Sequence, residues 1–565
     1  MTSSSSATIT AATGASRRAA LLPVLAALTL CLAASGAVRA ATRLELRHQS
    51  LELPGAPATI VAGDVDGDGR GDLAVVVVYT AWDQQSVDQE SHMEGIEGLV
   101  EMLTVVPYLA DRRELWLLRG MADGEFARAA DPLPLPASVV GLEPGTPGAP
   151  IVALTDDGVA ALRFVAGTPA RLVLEPLLSE PSPLARSGTL VPNLGIAHDL
   201  DRDGRTDLLL PNEEGAAVVL ATAAGPASVV ASRLAFPDLG ERRDAGADRH
   251  LALPEARDLD GDGLPELLLV DPDRGWDRLE LLRNLGAGRF APAIGISAGA
   301  LGRGAPPRHG KRDRKSIVYL GDLEGDGRAE YVTQESLEDE DAGFRKEMQQ
   351  AKTPPRRYRV HAMRADFAMA PEATREFEAD GYAFEGGDEV RLPGGFQDLN
   401  GDGRLDLVTL TLDFSLFQIV RVLATHSFDL GLDFHVYCQT ASGEFRPVAG
   451  LDLAGKFHLD LDNLKIGQLS QFAGDFDGDG RADFVQIGRG RTVTIHRGGE
   501  DCSFPASPDL KIELAEAPRD LALVEIRDLD GDGRSDLAIV QPEAAKEAGV
   551  TPPVRLELYL SGGRP

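Results

Sequence analysis

Apolar runs along this chain are short and evenly interrupted. LAVVVVY (73–79), LLLP (208–211), LLLV (267–270), YVTQ (331–334), LVTL (407–410), FVQI (484–487) and LAIV (537–540) are each 4–7 residues long. That length suits buried strands and is too short for ordinary helices. A small-residue stretch such as ATIVAG, IVYLG or SQFAG stands before several of them, and a third run, such as LWLL (115–118) or LELL (279–282), often follows. A Gly-x-Phe turn comes next, at Gly124–Phe126, Gly288–Phe290 and Gly443–Phe445, before a fourth alternating stretch. Four short strands per unit, repeated along the chain, predict an all-β propeller built of four-stranded blades.

Each run is preceded by one nine-residue pattern, Asp-x-Asp-x-Asp-Gly-x-x-Asp, present in seven copies: DVDGDGRGD, DLDRDGRTD, DLDGDGLPE, DLEGDGRAE, DLNGDGRLD, DFDGDGRAD and DLDGDGRSD. Position one is Asp64, Asp199, Asp258, Asp322, Asp398, Asp475 or Asp528. Position three is Asp66, Asp201, Asp260, Glu324, Asn400, Asp477 or Asp530. Position five is Asp68, Asp203, Asp262, Asp326, Asp402, Asp479 or Asp532. Position nine is Asp72, Asp207, Glu266, Glu330, Asp406, Asp483 or Asp536. Side chains at one, three and five converge when the chain turns tightly, and glycine at six permits the turn. With the carbonyl at seven and the carboxylate at nine they make an oxygen cage of the kind Ca²⁺ prefers; Mg²⁺ asks for stricter octahedral geometry. Without a cation, unit charges ~4 Å apart repel by about 4 kcal/mol at an effective dielectric of about 20. The alternative for any one copy is an Asp/Gly turn held by side chain to backbone bonds. Asn400 lowers the charge of the fifth copy, which predicts weaker binding there.

The motif and its strand context resemble the FG-GAP repeats of integrin α-subunit propellers and the bacterial VCBS repeats, over roughly residues 43–563. The resemblance implies that the carboxylates at positions one, three, five and nine ligate Ca²⁺, up to seven ions in all. Family members commonly serve adhesion, extracellular recognition or assembly.

Intervals between copies set the blade number. The first, from Asp64 to Asp199, is 135 residues, about twice the 53–77 of the others. Within it APIVALTDDGVAALRF (149–164) reads as a blade whose metal loop has decayed to Asp156-Asp157-Gly158. The expectation is therefore eight blades, with seven if that stretch is an insertion. VRLELYL (554–560) ends the last unit one strand short, and RLELRHQSLEL (43–53) is the expected partner that closes the ring. Closure removes exposed sheet edges.

Composition adds a compartment and excludes some partners. Arg17 and Arg18 precede an apolar run, Ala19 to Ala34, and Val38-Arg39-Ala40 offers a cleavage site after Ala40. Residues 1–40 read as a signal peptide, with an uncleaved anchor as the alternative, and 41–565 as one propeller domain with insertions at about 80–113, 334–357 and 412–430. Leu30 before Cys31 argues against a lipobox. The destination is secreted, periplasmic or cell-surface, with no membrane span left after cleavage. Net charge is -32, and becomes -35 when three arginines leave with the signal; such a surface repels nucleic acid. Cys438 and Cys502 then remain, as two separate thiols or as a disulfide.

Catalytic signatures are sparse. There is no GxSxG and no HExxH. GAPPRHGK (304–311) nearly spells a phosphate-binding loop, but Arg312 follows where Ser or Thr belongs. Arg70-Gly71-Asp72 spells an adhesion tripeptide whose Asp72 belongs to the first loop. Trp82, Trp116 and Trp276 are too dispersed for a repeated sugar-stacking site. The expectation is a calcium-binding adhesion or binding scaffold for a protein or polysaccharide, not an enzyme; the alternative is a calcium-dependent polysaccharide lyase. Chain direction places the insertions on the face opposite the metal loops. A basic cluster there (Arg303, Arg308, Lys311, Arg312, Arg314 and Lys315) suits an acidic partner.

Overall fold

The computed structural model describes residues 44–562 apart from 80–111, 145–149, 168, 185–192, 223–224, 238–252, 272–274, 298–314, 338–353, 384–394, 414–426, 450–452, 461–464, 489, 519–523 and 543–552. The signal segment, the insertion from 80 to 111 and the basic cluster up to Arg314 lie outside these. Every described element is a strand, and the strands form eight four-stranded antiparallel blades in a ring.

Blade 1 runs Ala56–Gly63, Asp72–Tyr79, Arg112–Gly120 and Phe126–Arg128, with Leu133–Pro134 on its outer side. Blade 2 is Val139–Glu143, Val152–Thr155, Gly158–Val165 and Arg171–Ser179; blade 3 is Ala197–His198, Asp207–Pro211, Gly215–Thr222 and Gly225–Ala235. Blade 4 (Glu255–Arg257 to Ile294–Ser297) and blade 5 (Lys315–Gly321 to Arg375–Asp380) repeat the plan. Blade 6 spans Gly395–Gln397 to Ala454–Asp460, and blade 7 spans Lys465–Phe472 to Leu510–Glu513. Those two share one continuous sheet, because His458–Asp460 pairs with Lys465–Gln468. Blade 8 supplies Val524–Arg527, Asp536–Pro542 and Val554–Ser561. Its fourth strand is Leu46–Leu53 from the other end of the chain, in unbroken register from Leu46↔Ser561 to Leu53↔Val554. The expected closure is thus observed.

The core lies between blades, as the apolar runs require when both faces of a sheet are covered. Val76, Val78, Leu115 and Leu117 of blade 1 pack against Leu142, Ala153 and Leu162 of blade 2. Leu73, Val75 and Val77 turn the other way, onto Ala538, Leu556 and Leu558 of blade 8. This alternation along one strand is the period of two at work. Aromatics take over between blades 6 and 7, where Phe434, Phe472, Phe484 and Phe504 meet edge-on or tilted.

One expectation needs correction. Asp156 and Asp157 are not a decayed metal loop. They are the two central residues of a hairpin between strands two and three of blade 2, closed by the Thr155↔Gly158 pair. Asp-Gly is as much a hairpin signal as a cage signal, and the sequence was read one strand out of step. The true connection between strands one and two, residues 144–151, reads PGTPGAPI and holds no acid. Strand two of blade 5 continues to Ser336, paired with Arg356. Strand pairing likewise claims Leu412 and Asp413, against Leu432 and Gly431.

Candidate functional site

All seven Asp loops connect strand one to strand two of their blades, and so lie on one face of the ring. Position one shapes the turn. In blade 7 the N–H groups of Gly478 (2.7 Å) and Asp479 (3.1 Å) donate to Asp475 Oδ1, and Gly480 (2.7 Å) donates to Oδ2. Blades 1, 5 and 6 repeat all three bonds on Asp64, Asp322 and Asp398. In blades 1, 4, 6, 7 and 8 position three accepts the N–H of position five, as Asp66 does from Asp68 at 3.1 Å, and in every loop position five accepts that of position seven, as Asp68 does from Arg70 at 3.0 Å. One oxygen of each is thereby fixed while the other projects from the turn.

Position nine lies beneath. Asp72, Asp207, Glu266, Glu330, Asp406, Asp483 and Asp536 are all buried. Asp72 Oδ2 accepts the N–H of Val65 at 3.0 Å and Oδ1 that of Gly120, at the end of strand three, also at 3.0 Å. The same double bond recurs at Asp207, Asp406, Asp483 and Asp536. Position nine therefore ties the loop to its own blade, a role the sequence reading did not assign. Burial raises these carboxyls, Asp72, Asp207 and Asp406 to about 6 and Glu266, Glu330, Asp483 and Asp536 to about 7. A divalent cation close by acts in the opposite direction.

Neighbouring loops join into a band. The position-eight N–H of one loop donates to the backbone of the loop before it: Ala329 to Leu259 O, Leu405 to Leu323 O, Ala482 to Leu399 O, Ser535 to Asp475 O and, across the ring seam, Gly71 to Asp530 O, at 2.7–3.0 Å. Contact is so close that a Cβ on Gly261 would strike the Gly327 carbonyl. In blade 3 this place belongs to Arg202, in the left-handed region at φ 62°, whose guanidinium donates to Asp262 O at 2.7 Å.

The residues suit a hard cation. Every donor is an oxygen. Carboxylate oxygens of Asp64, Asp66 and Asp72 lie within 4.8 Å of one another, as do those of Asp199, Asp201 and Asp203, of Asp258, Asp260 and Asp262, and of Asp475, Asp477 and Asp479. Oxygens that share one Ca²⁺ at 2.3–2.6 Å are at most about 5 Å apart. Asp201 Oδ1 is buried with no hydrogen-bond partner.

Beside the blade 6 loop, Cys438 on strand three is bonded to Cys502 in the turn after strand three of blade 7. The spacing left that pairing open. Cys502 sits at φ 56°, in the place that Gly124 and Gly443 take in the equivalent turns of blades 1 and 6.

The model of the FG-GAP-like repeat matches residues 258–333 and 475–539, which hold the loops of blades 4, 5, 7 and 8. The chain is an eight-bladed propeller that carries FG-GAP-like repeats in these blades. No curated protein matches its sequence. Among solved structures the propeller is similar to an Agrocybe aegerita lectin that recognises non-reducing terminal N-acetylglucosamine, at 13% identity and TM-score 0.33, over 91% of this chain and 86% of that one. It is also similar to the V. cholerae biofilm matrix protein Bap1, at 11% identity and TM-score 0.23, over 92% of both chains. A family 117 glycoside hydrolase from Zobellia galactanivorans follows at 12% identity and TM-score 0.20, over 54% of this chain and 82% of that one. Likeness at this level carries no argument about ligand or activity.

Proposed function

We propose that this protein is an exported, calcium-binding propeller that acts as a binding or adhesion scaffold for a protein or carbohydrate partner, and not as an enzyme. The observation that carries the reading is the repetition of one preshaped, all-oxygen loop in seven of eight blades. Backbone N–H groups already fix one oxygen of position five in every loop, and one of position three in blades 1, 4, 6, 7 and 8, so that the outward oxygens are those a cation would meet. Positions one and nine set the turn and its attachment. Calcium would neutralise the acidic band that runs from blade to blade and so hold the loop face together.

The partner surface follows from chain direction. Strand one runs to the loop face and strand two runs back, so the connections 80–111, 338–353 and 414–426 leave from the opposite end of their blades. We assign partner binding to that side, with the Arg303–Lys315 cluster suited to an acidic partner. Calcium titration of the chelated protein, read by melting temperature and by calorimetry, tests the metal. Hydrogen-exchange protection after a pull-down from the host envelope tests the face; protection on the Asp loops would overturn it. Unsaturated products released from pectic or alginate-like polymers would favour a lyase instead.

A further inference from the structure

The seven loops are not electrostatically alike, and the difference lies on strand three. The residue just before the N–H that position nine accepts stands beside position three of the same loop. It is Arg119 in blade 1, Arg283 in blade 4 and Arg497 in blade 7. Arg119 pairs with Asp66 and, at 2.8 Å, with Asp68. Arg283 meets Asp260 at 2.9 Å and Arg497 meets Asp477 at 3.2 Å. In blade 5 that place holds Ala362, and Arg375 reaches in from strand four to pair with Glu324. In blade 6 it holds Cys438, and there position three is the neutral Asn400, whose amide points at the sulfur at 3.8 Å. Charge on strand three and charge at position three thus match in four blades, and in blade 5 strand four supplies the cation.

Blades 3 and 8 break the pattern. Their strand-three residues are Leu220 and Leu560, yet position three remains Asp201 and Asp530. Among the described residues no cationic side chain pairs with either. Asp201 keeps a buried oxygen without a partner, and Asp530 feels Arg47 only at a distance, since that guanidinium donates to Asp123 O and Gly124 O. Position five does not separate blade 3 from the arginine-paired loops, since Asp203 has Arg205 just as Asp68 has Arg70 and Asp479 has Arg481. Blade 3 also follows the blade that has no Asp loop, whereas the blade 8 loop is bonded to both its neighbours through Ser535 and Gly71.

We propose that the loops of blades 3 and 8 are the high-affinity calcium sites and that Arg119, Arg283, Arg375 and Arg497 are built-in counter-cations that weaken calcium binding in their own loops. The inference rests on the calcium reading above. An ion entering an arginine-paired loop must displace a guanidinium from the outward oxygen of position three and meet its repulsion at close range; at Asp201 and Asp530 no guanidinium has to be displaced.

The test is calcium titration of the chelated full-length protein by isothermal calorimetry, with melting curves on the same samples. The expected result is two sites at least about tenfold tighter than the rest. Asp201→Asn and Asp530→Asn should each remove one tight site, whereas Asp66→Asn should leave both. Arg119→Leu, at a partly exposed side chain, should add a third tight site, and this gain keeps the test decisive if an Asn variant folds poorly. Calcium binding at equal strength in all loops, or an Arg119→Leu protein with the wild-type number of tight sites, overturns this inference and leaves the calcium reading standing. No calcium binding in any variant overturns both.

Discussion

Blade 2 and blade 1 build the same four-stranded sheet by different means at the loop face. Blade 1 joins its first two strands with eight residues that carry three acids, and a fourth opens strand two; blade 2 uses PGTPGAPI, which carries none. Both bury their second strands completely or nearly so, and they share one apolar cluster. The sheet and its packing therefore do not need the loop. What blade 2 lacks is a loop to hand on to its neighbour. In its place Glu143, at the end of strand one, accepts the N–H groups of Leu194 (2.5 Å) and Ile196 (3.1 Å) where the chain enters blade 3. One buried carboxylate does laterally for blade 2 what a band of loop-to-loop bonds does elsewhere. The Asp loops belong to the cohesion and charge of one face, not to the making of blades.

The largest effect should come from stripping cations. Binding to the native state alone stabilises by RT ln(1 + [L]/Kd), on the order of 1–2 kcal/mol per loop at a few millimolar Ca²⁺ and extracellular-type affinities. Excess EDTA should lower the melting temperature markedly. Hydrogen exchange should rise on the loop faces of blades 1 and 3–8 and change little in blade 2. An unchanged melting curve would sink the calcium reading.

The disulfide comes next. Cys438 and Cys502 close a 64-residue segment across two blades, and loop-closure entropy for that length gives about 4 kcal/mol. Cys438→Ala with Cys502→Ala should lose up to that amount, with the loosening measured by proteolysis at blades 6 and 7. Equal stability of the double variant and the parent would show that the aromatic cluster between those blades is sufficient.

Glu143 gives a pH signature that blade 2 carries without any Asp loop. Burial raises its carboxyl from 4.5 to about 7. The folded state therefore holds this proton more tightly than the unfolded chain does. Stability from Glu143 is fully present below pH 4.5 and is lost as pH rises to about 7, a change on the order of 3 kcal/mol. Other acids titrate in the same range, so the measurement is a difference: denaturation of the parent minus that of Glu143→Gln across the window. A flat difference would contradict the assignment.

Repetition made most of this legible. Seven copies of one motif placed the loops, the second strands and, by spacing, the eighth blade; the unfinished last unit pointed to Leu46–Leu53. What escaped depends on register between distant segments. Asp156-Asp157-Gly158 satisfied a local pattern, and only the pairing of strands shows it at the wrong end of the blade. Position nine looked like a plain ligand because its partners, such as Gly120 for Asp72, lie 48 residues away. The arginines of strand three left a faint trace, LRG (118–120), LRN (282–284) and HRG (496–498) at the ends of third runs, but nothing local ties them to position three.

The smallest contrast sets one aspartate of a loop against one of the blade 2 hairpin. Asp475 accepts three backbone N–H groups inside its turn, and Asp475→Ala leaves all three to water or unmet. Much of the loop is near solvent, so the loss is about 2 kcal/mol without calcium, and more with it. Asp528→Ala should behave alike, having two such bonds. Asp157 is exposed, and its side chain meets Ser179 Oγ only at 3.4 Å. Asp157→Ala should therefore stay within about 0.5 kcal/mol of the parent, with or without Ca²⁺. Urea denaturation of the three variants, each in calcium and in EDTA, separates the readings. If Asp475→Ala and Asp157→Ala lose the same stability and neither responds to calcium, the loops are ordinary turns, and the difference between blade 2 and its neighbours is one of sequence alone.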